Sequence, residues 1–351
     1  MQTLLDRANQ ALGRLDGVTL LLPDPDQFIY TFVRKEAVLS SQIEGTQSSL
    51  SDLLLFEHDA APGLLREDAQ ETANYIAALN HGLAQIARPG APPLSARLLR
   101  EVHARLLQSG RGSQKAPGEF RRTQNWLGGS RPSLARFVPP PAQEVAPAIT
   151  ALERFIHDEP QATPILIKAA LAHAQFESIH PFLDGNGRVG RLLITLLLCA
   201  EGVMRRPLLY LSLYFKRHRD DYYEYLQRVR TEGGWEDWLR FFLQGVVDVA
   251  ESTTRTTQRL VAMIESDRQA IHEFGRGAAT AHRVHDLAAR FVLVGASSVA
   301  EQLGLTSPPV YAALGRLERA GILREATGRR RGKLYVYEQY LEILNESTEP
   351  T

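Results

Sequence analysis

The chain has 351 residues, 44% of them hydrophobic, which suffices for two or three domains with apolar cores. Its formal net charge is +0, so no global field draws it to nucleic acid or lipid. Its single cysteine, Cys199, excludes an internal disulfide and reads as a small hydrophobe in a leucine-rich helix. Met1-Gln2-Thr3-Leu4-Leu5-Asp6 has no basic leader region and no run reaches the length of a membrane span, so a cytoplasmic location without a membrane partner is expected.

Residues 1–60 are expected to form an N-terminal helical region, stopped by Ala61-Pro62-Gly63. Near its end lies Ser40-Ser41-Gln42-Ile43-Glu44-Gly45. Ser40 and Glu44 are one helical turn apart and share a face. By itself the segment also fits a helix-end Glu-Gly with a solvated carboxylate.

Residues 61–245 read as mostly helix, broken at Arg88-Pro89-Gly90-Ala91-Pro92-Pro93 and again at Gly118–Gly129 with Phe137-Val138-Pro139-Pro140-Pro141. In the second break two short apolar segments flank a Gly/Ser/Pro-rich turn, which predicts a β-hairpin. Trp126, Trp235 and Trp238 read as packing residues. Ile165, Leu166, Ala169, Ala170, His173, Phe176 and Ile179 recur at helical spacing, as do Leu192, Leu193, Leu196 and Leu197.

Between those two helices lies His180-Pro181-Phe182-Leu183-Asp184-Gly185-Asn186-Gly187-Arg188-Val189-Gly190-Arg191. It joins a base, a carboxylate, a glycine-rich turn and two guanidiniums at the start of a helix, where unpaired N–H groups and the helix dipole attract phosphate. Gly185, Gly187 and Gly190 also spell the dinucleotide-binding pattern G-x-G-x-x-G. That pattern requires a preceding β-strand, and the run before it is alanine-rich with helical period, so a Rossmann fold is rejected.

Further on, Tyr222-Tyr223 offers aromatic faces. Residues 246–280 are polar and Thr/Arg-rich, and predict a helical connector. Residues 281–342 change character. Val299–Leu305 and Thr306–Arg319 read as helix, turn, helix, with Thr306 as cap and Pro308 or Pro309 in the first turn. A basic turn, Gly328-Arg329-Arg330-Arg331-Gly332-Lys333, and a strand-like Leu334-Tyr335-Val336-Tyr337 complete the outline of a winged helix-turn-helix. Residues 343–351 form a tail. The basic turn suits a phosphate backbone, yet the second helix carries few base readers, and winged helices also serve as protein-docking or homodimer modules. Both readings stay open.

The segment His180–Arg191 resembles the signature of the Fic (filamentation induced by cAMP) family, H-x-F-x-[D/E]-G-N-G-R-x-x-R, at His180, Phe182, Asp184, Gly185, Asn186, Gly187, Arg188 and Arg191. The resemblance implies a mainly α fold: a Fic helical core with a small β-hairpin flap, followed here by the winged helix-turn-helix. It implies transfer of AMP from ATP, with Mg²⁺, to a hydroxyl of a target protein or of the chain itself. His180 would be the general base. Asp184 would hold Mg²⁺. Gly185, Asn186, Gly187, Arg188, Val189, Gly190 and Arg191 would surround the phosphates, and Phe182 would anchor the loop.

Three further assignments follow from the same resemblance. Ser40 and Glu44 match an inhibitory motif, [S/T]-x-x-x-E-[G/N], whose glutamate pairs with the second arginine, here Arg191, and denies it to the γ-phosphate. Asn125, Trp126, Leu127 and Gly128 would form the inner edge of the flap, positioning the target segment by strand addition. Tyr222 and Tyr223 would border the adenine. Other readings remain: a DNA-binding regulator that uses the domain to sense nucleotide, or an enzyme in which Glu44 orients water for AMP removal. An intact His180 and Asp184 favour the enzyme, because a sensor needs no general base.

Overall fold

The computed structural model describes residues 1–19, 25–58, 66–88, 90 and 94–346. The expected stop at Ala61-Pro62-Gly63 and the last residues of the tail lie outside the described residues. In chain order the helices are α1 (Gln2–Thr19), α2 (Pro25–Ile43), α3 (Leu50–Glu57), α4 (Arg66–Ile86), α5 (Ala96–Leu106), α6 (Val145–Ile156), α7 (Ile165–Ile179), α8 (Asn186–Ala200), α9 (Ser212–Arg217), α10 (Arg219–Glu232) and α11 (Trp235–His272). A smaller C-terminal unit follows: α12 (Ala278–Phe291), β1 (Leu293–Gly295), α13 (Ala296–Leu303), α14 (Ser307–Arg319), β2 (Arg324–Glu325), β3 (Leu334–Val336) and α15 (Glu338–Asn345).

The centre of the molecule is the α7–α8 pair. Every residue of α8 from Arg188 to Leu198 is buried, as expected for a helix apolar nearly all round. It packs against α4, α5 and α7, while α2 lies across α4 and α9. The last turn of α2 is thereby brought beside the first turn of α8. The expected boundary at 245/246 falls inside α11, a continuous helix of 38 residues. The connector is not simply polar: Val246, Val249, Ala250, Thr253, Thr257, Leu260 and Ile264 keep a buried stripe along it, and α1 packs on this helix.

The predicted hairpin does not form two strands. One antiparallel bridge joins Leu127 to Phe137, and a short 3₁₀ turn, Pro132–Leu134, lies between. Pairing stops there because Pro139, Pro140 and Pro141 have no N–H to donate.

In the C-terminal unit the sheet order is β1-β3-β2, all antiparallel, with Val336 opposite both Leu293 and Arg324. Arg329, Arg330 and Arg331 are exposed in the connection between β2 and β3. Thr306 stands at the N-cap of α14, but its side chain makes no capping bond. The unit is docked on α2 and α3. Buried Lys35 donates from Nζ to the Leu344 carbonyl at 2.7 Å, Thr31 Oγ1 lies 3.2 Å from Tyr340 Oη, and the Tyr30 ring meets Phe291 edge-on at 5.0 Å. His58 Nε2 reaches the Leu293 carbonyl at 3.1 Å.

Candidate active site

His180 closes α7. Its N–H donates to the Phe176 carbonyl at 2.9 Å and its φ is 49°, a left-handed conformation that only a well-held non-glycine residue adopts. What holds it is Arg121, a residue the sequence did not single out. Buried Arg121 donates from Nε to the His180 carbonyl at 2.9 Å, and its backbone N–H donates to the Pro181 carbonyl at 2.8 Å. The turn is thus tied to the loop that contains Leu127 and Phe137. The Nδ1 atom of His180 is buried without a hydrogen-bond partner among the described residues, with Glu177 Oε2 4.0 Å away. Burial pushes the His180 pKa down to about 4, so the imidazole is neutral near pH 7 and can accept a proton.

The next residues form a rigid loop. Asn186 accepts from the Phe182 N–H and donates to the Phe182 carbonyl, both at 2.8 Å. Asn125 donates to that same carbonyl at 2.9 Å. Under the loop, His103 stacks on Phe182 with ring centroids 3.7 Å apart. Its Nδ1 accepts from the Gly118 N–H at 2.8 Å, so Nε2 is the donor to the Asp184 carbonyl at 3.0 Å. Burial lowers its pKa to about 4, which keeps that tautomer neutral.

Asp184 Oδ1 accepts from the Gly185 N–H at 2.6 Å, and its side chain remains 35% exposed. Arg188 is buried between Glu71 Oε2 at 3.1 Å and Asp184 Oδ1 at 3.7 Å. Burial raises the Glu71 carboxyl pKa against the opposing pull of Arg188. No side chain caps α8, so its first-turn N–H groups face the loop. The result is an anion-receptive helix end beside a neutral imidazole.

Arg191, on the next turn, is bonded through Nε and Nη2. It donates from Nε to Ser40 Oγ at 2.8 Å, and from Nη2 to the Ser40 carbonyl at 2.9 Å and to Glu44 Oε1 at 2.7 Å. Burial alone would raise the Glu44 carboxyl, but Arg191 outweighs it and holds the pKa below the usual carboxylate range. Glu36, on α2, is buried against Ser212 and Tyr75, and burial lifts its pKa to about 7. The contact of Glu44 with α8 depends on Gly187: a Cβ there would sit 2.3 Å from Glu44 Oε1.

Several assigned residues take other places. Val189 is wholly buried in the core, and Gly190 packs against α7, its carbonyl accepting from His173 Nδ1 at 2.9 Å; both are corrected to helix-packing positions. Asn186 and Asn125 spend their side chains on Phe182, holding the loop. Tyr222 is 1% exposed, hydrogen-bonded to His173 Nε2 at 2.9 Å and stacked on Phe215 at 4.6 Å, so its face is not available to adenine. Tyr223 is half-buried beneath Arg219, and burial, then the charge of Glu44, pushes its phenol up to about 12. Trp126 is exposed rather than packed, Leu127 is half-buried and Gly128 exposed, while Trp238 is buried and Trp235 half-buried. Arg230, also unassigned from sequence, lies 3.9 Å over the Phe137 ring and donates to the Glu177 carbonyl at 3.1 Å, pinning the bridged loop to α7.

The carboxylate of Asp184 has room for a metal ion beside it. A Cβ on Gly112 would fall 2.7 Å from Asp184 Oδ2, so that glycine leaves open the space the carboxylate needs. Among the described residues no group of three or more His, Cys, Asp or Glu side chains could enclose an ion. A single carboxylate suits Mg²⁺ carried in with substrate phosphates and water, not a cage built by protein.

Residues 2–84 match a family model described as Fic/DOC family N-terminal, and residues 93–198 match one described as Fic/DOC family. Curated relatives include the protein adenylyltransferase Fic of Aedes aegypti, 29% identical over 72% of this chain and 46% of the relative. That of Culex quinquefasciatus is 35% identical over 45% of this chain and 27% of the relative. The chain thus spans less than half the length of these relatives. Among solved structures, a Fic family protein from Desulfovibrio desulfuricans G20 aligns with TM-score 0.59 at 19% identity, covering 95% of this chain and 94% of that one. A Fic domain containing signaling protein from Bacteroides thetaiotaomicron VPI-5482 aligns with TM-score 0.56 at 20% identity, covering 72% and 97%. At these identities the likeness is one of fold.

Proposed function

The chain belongs to the Fic/DOC family, and from that premise we propose that it transfers AMP from ATP to a hydroxyl of a target protein, and that Glu44 holds it inhibited. The observation that carries the transfer is the neutral, unpartnered Nδ1 of His180 beside the uncapped start of α8. The target hydroxyl oxygen attacks the α-phosphorus as its proton passes to His180. The bond from the α-phosphorus to the bridging oxygen breaks, and pyrophosphate leaves. The first-turn N–H groups of α8 and the Arg188 guanidinium stabilise the phosphate oxygens. Asp184 would hold Mg²⁺, which supplies charge neutralisation on the phosphates. Arg121, His103 and Asn186 keep the loop in place.

Inhibition is supported by the occupation of Arg191. With Nε and Nη2 bonded to Ser40 and Glu44, the guanidinium has that edge taken from a γ-phosphate, and the Glu44 carboxylate adds a like charge where that phosphate would lie. The test is transfer of label from α-labelled ATP with Mg²⁺, comparing wild type, Glu44→Gly and His180→Ala on cell lysate. The reading fails if Glu44→Gly labels nothing, or if adding His180→Ala to Glu44→Gly leaves its labelling unchanged.

A second role rests on the exposed run Arg329-Arg330-Arg331 between β2 and β3. We read residues 281–342 as a winged helix-turn-helix whose basic turn meets an anionic partner, with DNA backbone as the first candidate. Docking to protein or to a second copy is the alternative outcome of the same binding test.

A further inference from the structure

Glu177 lies in the last turn of α7, just before His180, and the transfer chemistry above gives its carboxylate no part. The residue is 6% exposed, and its Oε1 is buried with no hydrogen-bond partner among the described residues. Gly190 on α8 leaves the space for that oxygen, because a Cβ there would fall 2.5 Å from it. The other oxygen, Oε2, lies 4.0 Å from His180 Nδ1, itself buried and unpartnered. We propose that Glu177 positions the general base: it faces Nδ1 of His180, keeps the proton on that nitrogen, and leaves Nε2 to take the proton of the target hydroxyl. The proposal rests on the reading of His180 as that base.

Nδ1 is sealed from solvent, so a target hydroxyl must approach the ring at Nε2. A neutral imidazole carries one proton, and Nε2 accepts only if Nδ1 holds it. A buried N–H without an acceptor is costly. The Glu177 carboxylate faces Nδ1 and can supply one. A separation of 4.0 Å is longer than a hydrogen bond, but catalytic hydrogen bonds are often long before substrate binds and tighten in the complex. The carboxylate acts again during transfer. As Nε2 takes the hydroxyl proton, both ring nitrogens become protonated, and Glu177 stabilises the imidazolium. That proton then leaves from Nε2 to water, because Nδ1 is closed off.

The competing role for Glu177 is counter-ion to the buried Arg191 on α8 and to Arg230 on α10. Burial pushes its pKa up to about 7, the two arginines oppose that, and Glu44 adds to it. Among the described residues neither arginine forms an ion pair with the carboxylate; Arg230 Nη2 donates instead to the Glu177 carbonyl at 3.1 Å. The side-chain oxygen is therefore left to His180.

The test is ¹⁵N spectroscopy of the full chain labelled in its histidines, at about pH 8, where the carboxyl is ionised and the His180 ring neutral. The His180 signals are those missing from His180→Ala. Wild type is expected to carry the proton on Nδ1. Glu177→Met, which fills the space without charge, should move it to Nε2 in at least about half of the molecules. In the Glu44→Gly background, Glu177→Met should lower kcat for label transfer by at least about tenfold and leave KM for ATP within about twofold. Melting curves show whether the variant is folded; if it is not, Glu177→Gln, which keeps the shape and loses the charge, replaces it with the same expectations. Wild-type His180 protonated on Nε2 overturns the proposal without any variant. So does a folded variant that keeps the Nδ1 proton, or one that keeps the kcat of Glu44→Gly. Unchanged labelling on adding His180→Ala to Glu44→Gly overturns the base reading instead, and the tautomer, read without substrate, is independent of that result.

Discussion

Arg191 Nη2 and Glu44 Oε1 meet at 2.7 Å although 147 positions separate them in the chain. The same guanidinium is bonded to Ser40, so Nε and Nη2 of this α8 arginine are held by the end of α2 and the residue after it. Removing the carboxylate should free it. Glu44→Gly is expected to raise AMP transfer, self-modification included, by at least about tenfold, which corresponds to about 1.4 kcal/mol of barrier. The rate of label incorporation from α-labelled ATP checks this.

His180→Ala should lose transfer by about two to four orders of magnitude while the melting temperature stays near that of wild type. The side chain is 12% exposed and its Nδ1 makes no hydrogen bond, so little packing is lost with it. Placing the variant in the Glu44→Gly background gives the activity needed to measure the drop.

Gly187 and Glu44 should be coupled. A Cβ at Gly187 would overlap Glu44 Oε1, so Gly187→Ala is expected to destabilise the wild type by about 1–3 kcal/mol. In the Glu44→Gly background the obstacle is gone, and the cost should shrink by about 1 kcal/mol or more. Urea unfolding of the four-member double-mutant cycle reads the coupling directly. Additive costs would place the clash elsewhere.

Lys35 gives the contact between α2 and α15 a pH dependence. Burial, with a smaller push from Arg217, lowers its pKa from 10.5 to about 7. The unfolded chain therefore binds this proton more tightly than the folded one. Folded stability attributable to Lys35 is greatest above pH 10.5 and is lost as pH falls toward 7. Lys35→Met removes the titration. The stability of wild type minus Lys35→Met should become more negative from pH 10 down to pH 7, then level off. Chemical denaturation of both proteins at several pH values measures the difference, and a flat difference would contradict burial of this amine.

If the C-terminal unit binds DNA, its affinity should come from phosphate contacts by Arg329, Arg330, Arg331 and Lys333. Replacing all four with Gln in the full chain should reduce the slope of log K against log salt by up to about 3–4. Titration of random duplex at low and moderate salt tests this. Absence of binding at low salt would point to protein docking instead.

The chemistry of the loop was legible because it is contiguous. Base, carboxylate, glycines and guanidiniums follow one another within His180–Arg191, and the helical periodicity on both sides already makes it a loop opening a helix. Spacing made Ser40 and Glu44 legible only as a pair on one face, and it was the family resemblance that named Arg191 as the partner they meet. Which charge they meet depends on how α2 crosses the bundle, and spacing along a chain carries no information about that. The same limit explains why two adjacent residues take different surroundings. Tyr222 and Tyr223 are adjacent in sequence, yet His173 on α7 draws one into the core while Arg219 covers the other. Arg121, His103, Glu71 and Arg230 belong to no local pattern. They matter because distant helices bring their side chains against the turn at His180, the carbonyl of Asp184, the guanidinium of Arg188 and the ring of Phe137. Local sequence decides which groups a segment offers. Close packing of elements far apart in the chain decides which of them meet, and a buried donor or charge is tolerated only where that packing supplies its partner.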